Sequence, residues 1–286
     1  KLSDKLHDEL TKSFIDKKIS ILSRNLKQDL ILNTEIDSNN KIIIDGQFIG
    51  ELKGLKFNIA LTSSTLDTDI KSIKKAARKG IQEELKKRVK IIIVNKEISL
   101  SPDNKIVWKE NNIAKLKKGK NYLNPEIEII SDDSLDDNSK IDLENFLKLW
   151  LNEHLSEILG DLINLTNKKI DNQYLRALVF QLYENNGVVK RDKINNVIKL
   201  ISSEERKKLW GLGIKIGRYH IYLPKMLKPK AVILRITLWK LYYNLSNQYE
   251  IPQFGLNFLN NKKLNKSFLL LCGFENFNEF FVRIDI

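Results

Sequence analysis

Between Asp171 and Pro224 the apolar pattern alternates between helical and extended spacing in an order that few folds accommodate. "NQYLRALVFQLYENNGVV" reads as a helix that Asn185-Asn186-Gly187 ends, because a residue that tolerates the left-handed conformation commonly closes a helix. "GVV" then reads as a short strand. Asp192 is placed to cap a helix over "KINNVIKLI", and Ser202 or Ser203 to cap another over "EERKKLWGL". "GIKI" and "YHIYLP" follow as two short strands joined at Gly217-Arg218. Helix, strand, helix, helix, strand, turn, strand is the order of a winged helix, a helix-turn-helix variant with a hairpin behind its third helix.

That order also disposes of a tempting alternative. "GLGIKIG" looks like a nucleotide-binding glycine loop, but the dinucleotide fingerprint needs G-x-G-x-x-G after a strand and opening a helix. Gly211, Gly213 and Gly217 have another spacing, follow a helix and lead into a hairpin. Gly211 or Gly213 suits a helix end and Gly217 a tight turn. The chain contains no G-x-x-x-x-G-K-[ST], so no ATP-binding loop of that type is present in it.

"LPKMLKPKAVILRITLWKLYYNL" completes this region. Pro229 fits the first turn of a helix, and Leu234, Leu238, Leu241 and Leu245 give it an apolar stripe. Lys225, Lys228, Lys230 and Arg235 gather near its start, next to Lys215, Arg218 and Tyr219 of the expected hairpin and Arg191 of the second helix. These eight residues are the expected nucleic-acid contacts. Trp239, Tyr242 and Tyr243 are expected to be core or interface aromatics.

Upstream, the chain repeats itself. Asn40-Lys41-Ile42-Ile43 aligns with Asn104-Lys105-Ile106-Val107, Ile49 with Ile113, and Leu52-Lys53 with Leu116-Lys117. Each copy reads as a β-hairpin, the first turning at Asp45-Gly46, and each is followed by a helix. The helix after the first copy starts near Asp69. It carries Ile70, Ile73, Ala77, Ile81, Leu85 and Ile92 on one side, and Lys71, Lys75, Arg78 and Lys86 on the other. That second basic stripe is a further candidate for phosphates, diluted by Glu83 and Glu84. "SDDSLDDNS" lacks the alternating acids and central glycine of a calcium loop and reads as a boundary that caps the next helix, Ile141 to Leu159. His154 lies on that helix's apolar side and is expected to pack rather than ligate.

Charge and cysteine usage narrow the function classes. The 286 residues carry a formal net charge of +13, which favours a polyanionic partner through counterion release, although the Lys-, Asn- and Ile-rich background places some lysine on solvated faces. Cys272 is alone, so an internal disulfide is excluded and a reducing, cytoplasmic setting is expected. His7, His154 and His220 lie far apart with no cysteine partners, so no metal site is expected. No apolar run approaches membrane-spanning length, and no membrane partner is expected. Leu2 to Leu26 reads as a helix with Ser3 as its cap, and both chain ends read as cuts within a longer protein. No Ser/His/Asp, Cys/His or metal constellation points to catalysis within this chain, so no catalytic residue is expected.

Five segments carry a family resemblance: "LSDKLHDELTKSFIDKKISIL", "IDGQFIGELKGLKF", "IKKAARKGIQEEL", "LRALVFQLYENNGVVKR" and "GIKIGRYHIYLPKMLKPKAVILRITLW". Together with the closing "CGFENFNEFFVRIDI" they resemble the C-terminal half of alphaproteobacterial helicase-related proteins, which are similar to the mitochondrial RNA-degradosome helicase, a superfamily-two enzyme of DExH type. "YHIYLPKMLKP" is the most specific of these blocks. The resemblance implies a parent bacterial ATP-dependent helicase whose ATP and magnesium sit in an upstream core. This chain would then be a non-catalytic accessory region guiding RNA or DNA. An interaction scaffold that recruits nucleases or other partners is the alternative. The expected fold is α+β and mostly helical, with two hairpin-plus-helix units and a winged-helix-like section. Its expected parts are a helical connector over 1–34, the duplicated region over 35–130, and a helical region over 139–247 that contains the winged helix at about 171–224. A β-containing tail over 248–286 completes it.

Overall fold

A computed structural model describes residues 34–59, 67–167, 169–245, 249–252, 255–260 and 265–285. The expected helix Leu2–Leu26 lies outside them. The fold is α+β, with seven α-helices and four small antiparallel sheets among the described residues. The chain divides into two compact units. The first ends at Ser101 and adds 105–115 and 127–147; the second takes Pro102–Asn104, Leu116–Glu126 and the chain from Lys148 onward.

The repeat is real and larger than a pair of hairpins. Strands β1 (Thr34–Ile36), β2 (Lys41–Ile44), β3 (Gln47–Lys53) and β4 (Lys56–Ile59) form a four-stranded meander, followed by helix α1 (Asp67–Asn95). Strands β5 (Ile98–Leu100), β6 (Lys105–Trp108), β7 (Asn111–Lys117) and β8 (Glu126–Ile129) form the second meander, followed by α2 (Asp137–Asn167). The correspondence extends to irregularities. The register slips between Ile42 and Ile43 in one copy and between Ile106 and Val107 in the other. Asn40 and Asn104 both have positive φ, 63° and 60°, and their carbonyls accept from the Leu52 and Leu116 amides. Asp37 Oδ1 accepts the Lys41 amide at 2.8 Å, as Ser101 Oγ accepts that of Lys105 at 3.3 Å.

Where the copies differ, chemistry explains the difference. The first turn uses Asp45-Gly46, the second Lys109-Glu110, and all four residues have positive φ. Gly46 adopts that conformation freely, whereas Lys109 and Glu110 each pay about 1–2 kcal/mol for it. Arg88 of α1 is buried against the first meander, donating to the Gly54 carbonyl at 2.9 Å and to Asn40 Oδ1. The matching Asn104 Oδ1 is buried without a hydrogen-bond partner. Ile81, Leu85 and Ile92 are buried on the expected side of α1; the side chains of Ile70, Ile73 and Ala77 lie outside the described residues.

The acidic stretch before α2 acts as a cap. Asp136 accepts from the Ser139 amide at 3.1 Å and from its hydroxyl at 2.8 Å, and Asp132 Oδ2 accepts from the Phe57 amide at 2.9 Å. Helix α2 extends beyond the expected Ile141–Leu159 at both ends. His154 is half-buried and stacks on Trp150, with ring centroids 5.2 Å apart. Burial holds its imidazole below the ordinary value against the opposing charge of Glu157.

In the second unit, α3 (Gln173–Glu184), β9 (Val188–Lys190), α4 (Arg191–Lys199), α5 (Ser203–Gly211), β10 (Lys215–Ile216) and β11 (His220–Tyr222) follow in winged-helix order. Their sheet runs β10-β11-β9, all antiparallel, so the hairpin closes back on the strand after the first helix. The turn residues explain the breaks. Asn186 and Gly187 both have positive φ after α3, as does Gly213 after α5. Ser202 caps α5 in a reciprocal box with Glu205. Asp192 does not cap α4: that helix starts at Arg191, two residues earlier than expected, Lys190 is its cap position, and Asp192 lies in the first turn.

Helix α6 (Pro229–Tyr243) starts on Pro229 and ends on left-handed Asn244. Strands β12 (Asn257–Leu259), β13 (Phe274–Phe277) and β14 (Phe280–Arg283) form the last sheet, with α7 (Lys266–Leu271) before β13. Val232 and Ile236 of α6 pack with Phe268, Leu269, Cys272, Phe274 and Phe281 in one buried cluster. Trp239 packs against the same cluster, with its ring centroid 6.1 Å from that of Phe268.

Candidate nucleic-acid interface

The wing is a short lever built by pairing geometry. Lys215 and Ile216 pair with Tyr222 and Ile221, and the Gly217 amide donates to the His220 carbonyl at 2.8 Å. Arg218 and Tyr219 are thereby left as the two central residues of the turn, and both are exposed. The Arg218 guanidinium lies over the Tyr219 ring, 5.3 Å from its centroid. Arg191 braces the tip from α4: its amide donates to the Tyr219 carbonyl at 2.8 Å and its Nη1 to the Gly217 carbonyl at 3.1 Å. Lys215 is exposed at the base of the wing, with its ammonium 5.8 Å from the Tyr222 ring centroid.

Three of the eight expected contacts, Lys215, Arg218 and Tyr219, thus share one wing, and a fourth, Arg191, braces it from α4. Lys225 is exposed but paired with Asp161 at 3.0 Å. Lys228 and Lys230 are exposed at the start of α6.

Arg235 is a correction. It is 1% exposed and donates to the carbonyls of Asn186 and Met226, each at 2.5 Å, and of Leu271 at 3.1 Å. Burial lowers its pKa to about 10, against the attraction of Cys272 and Tyr122. It ties three chain segments together and does not reach solvent. Sequence clustering misplaced it because α6 is buried on nearly every side from Ala231 to Leu238, so proximity along the chain to Lys228 and Lys230 says nothing of a shared face. In the second basic stripe, Arg78 and Lys86 are exposed and Lys86 stands 3.9 Å from Asp136; the side chains of Lys71 and Lys75 lie outside the described residues.

The structure adds residues that the sequence reading passed over. Helix α5 is the third helix of the winged helix, the element that commonly enters a groove in helix-turn-helix proteins. Its Arg206, Lys207 and Lys208 are exposed, as is Trp210 at 71%. The signal was present in "ERKKLW", a basic run on the recognition position of a recognised order. Of its two acids, Glu205 is committed: it accepts from the Ser202 amide at 2.7 Å and from the Asn172 side chain. Glu204 is exposed and reduces the net positive charge there. Across 171–224 there are ten lysines and arginines against five acids, a net of +5.

A partly buried polar clamp fixes the wing to the last sheet. Lys190 and His220 both meet Glu275 of β13, at 2.8 and 2.9 Å. Burial pushes the Glu275 carboxyl upward, but hydrogen bonds from Lys190, His220 and the Asn276 amide outweigh it and hold it below the usual carboxylate value. Elsewhere in the unit a cavity of about 430 Å³ is lined by Tyr122, Tyr183, Lys193, Trp239, Tyr242 and Lys266, among others. Tyr122 on its wall already donates to the Tyr183 carbonyl at 3.0 Å.

Among the described residues no group of three or more His, Cys, Asp or Glu is arranged to hold a metal ion, and no helix is long and apolar enough to cross a membrane. Comparison with protein-family models, with curated proteins and with solved structures returned no match.

Proposed function

We propose that this chain is an accessory region of an ATP-dependent nucleic-acid helicase, and that its winged helix holds RNA or DNA by the phosphate backbone. The observation that carries the reading is the exposed basic surface of the winged helix: Arg206, Lys207 and Lys208 on α5, with Lys215 and Arg218 on the wing. The net charge of +13 supports a polyanion as partner, because each neutralised phosphate releases counterions. The helicase assignment rests on the sequence resemblance; ATP, magnesium and strand separation belong to the upstream core in that reading.

A filter-binding salt titration of the full chain tests it. Log affinity falls with log salt at about −0.9 per phosphate contact on duplex and about −0.7 on single strands. The Arg206→Gln/Lys207→Gln/Lys208→Gln variant flattens the slope by about two contacts and weakens binding to all sequences alike, since phosphate contacts position without reading bases. Equal slopes for variant and wild type would remove the winged helix from the interface. They would favour a scaffold that recruits nucleases or other proteins.

A further inference from the structure

The wing does not end at its tip. The clamp at Glu275 sets β13 beside the wing, and two residues further along β13 the Phe277 ring meets Tyr219 edge to face, with centroids 5.6 Å apart. Phe277 pairs directly across the hairpin with Phe280, and Phe280 pairs on its other side with Leu259 of β12. Directly paired residues share a face of a sheet. Tyr219, Phe277, Phe280 and Leu259 therefore form one continuous row across the wing tip and three strands. All four are exposed, at 53%, 42%, 44% and 68%. The opposite face carries the buried Phe274 and Phe281, so the sheet's core need is already met there.

We propose that this row is a stacking platform for single-stranded nucleic acid, on which unpaired bases lie against Tyr219, Phe277 and Phe280 while Arg218 meets the phosphates. The inference rests on the nucleic-acid reading above and adds the substrate class, an unpaired strand. Three observations select that occupant. The Tyr219 and Phe277 ring centroids stand 5.6 Å apart, and the paired strands that carry Phe277 and Phe280 lie about 5 Å apart, a spacing that suits successive bases in an extended strand. Every base offers a π-face, so a row of rings without hydrogen-bonding side chains between them binds strands without regard to sequence. Arg218 supplies an exposed cation at one end of the row, beside Tyr219. Roughly half-exposed, the four side chains offer about 400 Å². That is half of the roughly 800 Å² per partner that a stable protein interface buries. Glu279, exposed in the turn between Phe277 and Phe280, disfavours phosphate at that end and leaves the Arg218 end for the backbone.

The test compares the full chain with a Phe277→Ser/Phe280→Ser variant and a ring-retaining Phe277→Tyr/Phe280→Tyr variant. Each is titrated with oligothymidylate, with an abasic strand of equal length and charge, and with blunt duplex. Wild type and the Tyr variant prefer oligothymidylate to the abasic strand by about 10-fold or more, and the Ser variant loses that preference. Duplex affinity is the same for all three. A preference that survives in the Ser variant overturns the platform. Equal wild-type affinity for thymidylate and abasic strands also overturns it, while leaving phosphate binding by the winged helix in place. If wild type binds none of the three, the nucleic-acid reading fails and the platform with it. Dimerisation in sedimentation velocity that the Ser variant abolishes would assign the row to a second copy of the chain instead.

Discussion

Replacing Arg235 with methionine separates a core arginine from a nucleic-acid contact. The guanidinium serves three buried carbonyls, those of Asn186, Met226 and Leu271. Leaving each without a donor costs about 1–3 kcal/mol, or roughly 3–9 in all before compensation. Compensation comes from no longer burying a charge. The fall of its pKa from the ordinary guanidinium value to about 10 corresponds to about 3 kcal/mol disfavouring the charged form. Methionine also refills most of the space as an adaptable apolar side chain. The net loss centres on about 3 kcal/mol, which for a unit of about 150 residues, the size of the second unit, lowers Tm by about 6–12 °C. Differential scanning fluorimetry reads the first effect, and oligonucleotide binding well below the transition reads the second. The structure predicts a lowered Tm with unchanged affinity. An unchanged Tm with weakened affinity would place the guanidinium at the surface, as its position beside Lys228 and Lys230 in the chain first suggested, and would refute the buried arrangement.

Two further outcomes follow from the same geometry. Lys109→Asn/Glu110→Gly supplies the residues that a two-residue hairpin turn favours and should raise stability by about 1–2 kcal/mol in urea unfolding; no gain would mean that the left-handed backbone there carries no cost. Glu275→Gln should cost about 1–3 kcal/mol near neutral pH by weakening the clamp to Lys190 and His220. Because the folded-state value of Glu275 lies below its ordinary 4.5, its contribution is complete above that value and is lost as pH falls through the folded one. The gap between wild type and variant should therefore close below pH 4.5; a gap that stays constant with pH would remove the carboxylate's charge from the account.

The duplication and the winged helix were legible because both are written in local signals. The isoleucines of "NKIII" and "NKIVW" align at a fixed spacing, and the helix breaks fall on Asn186, Gly187 and Gly213, residues that tolerate the positive φ they adopt. The outer strands of each meander escaped notice. Strands such as Thr34–Ile36 and Ile98–Leu100 have only three residues, too few for an alternating pattern to register. The turn at Lys109-Glu110 carries no turn signal of its own and was recognisable only by alignment with Asp45-Gly46. The site was read in part. Arg218 and Tyr219 could be found because a two-residue turn between short strands exposes its central residues. The row they begin could not, since Phe277, Phe280 and Leu259 reach it through tertiary pairing across more than thirty residues of chain.

Hydrogen–deuterium exchange on the full chain, with and without a saturating single-stranded oligonucleotide, tests most directly whether the winged helix is the nucleic-acid surface. Bound nucleic acid should slow exchange in peptides covering 203–222, where α5 and the wing lie, and in those covering 274–283. Peptides from the two meanders, 34–59 and 105–117, should be unchanged. Protection confined to the meanders, or none within 203–222 at saturation, would contradict the account.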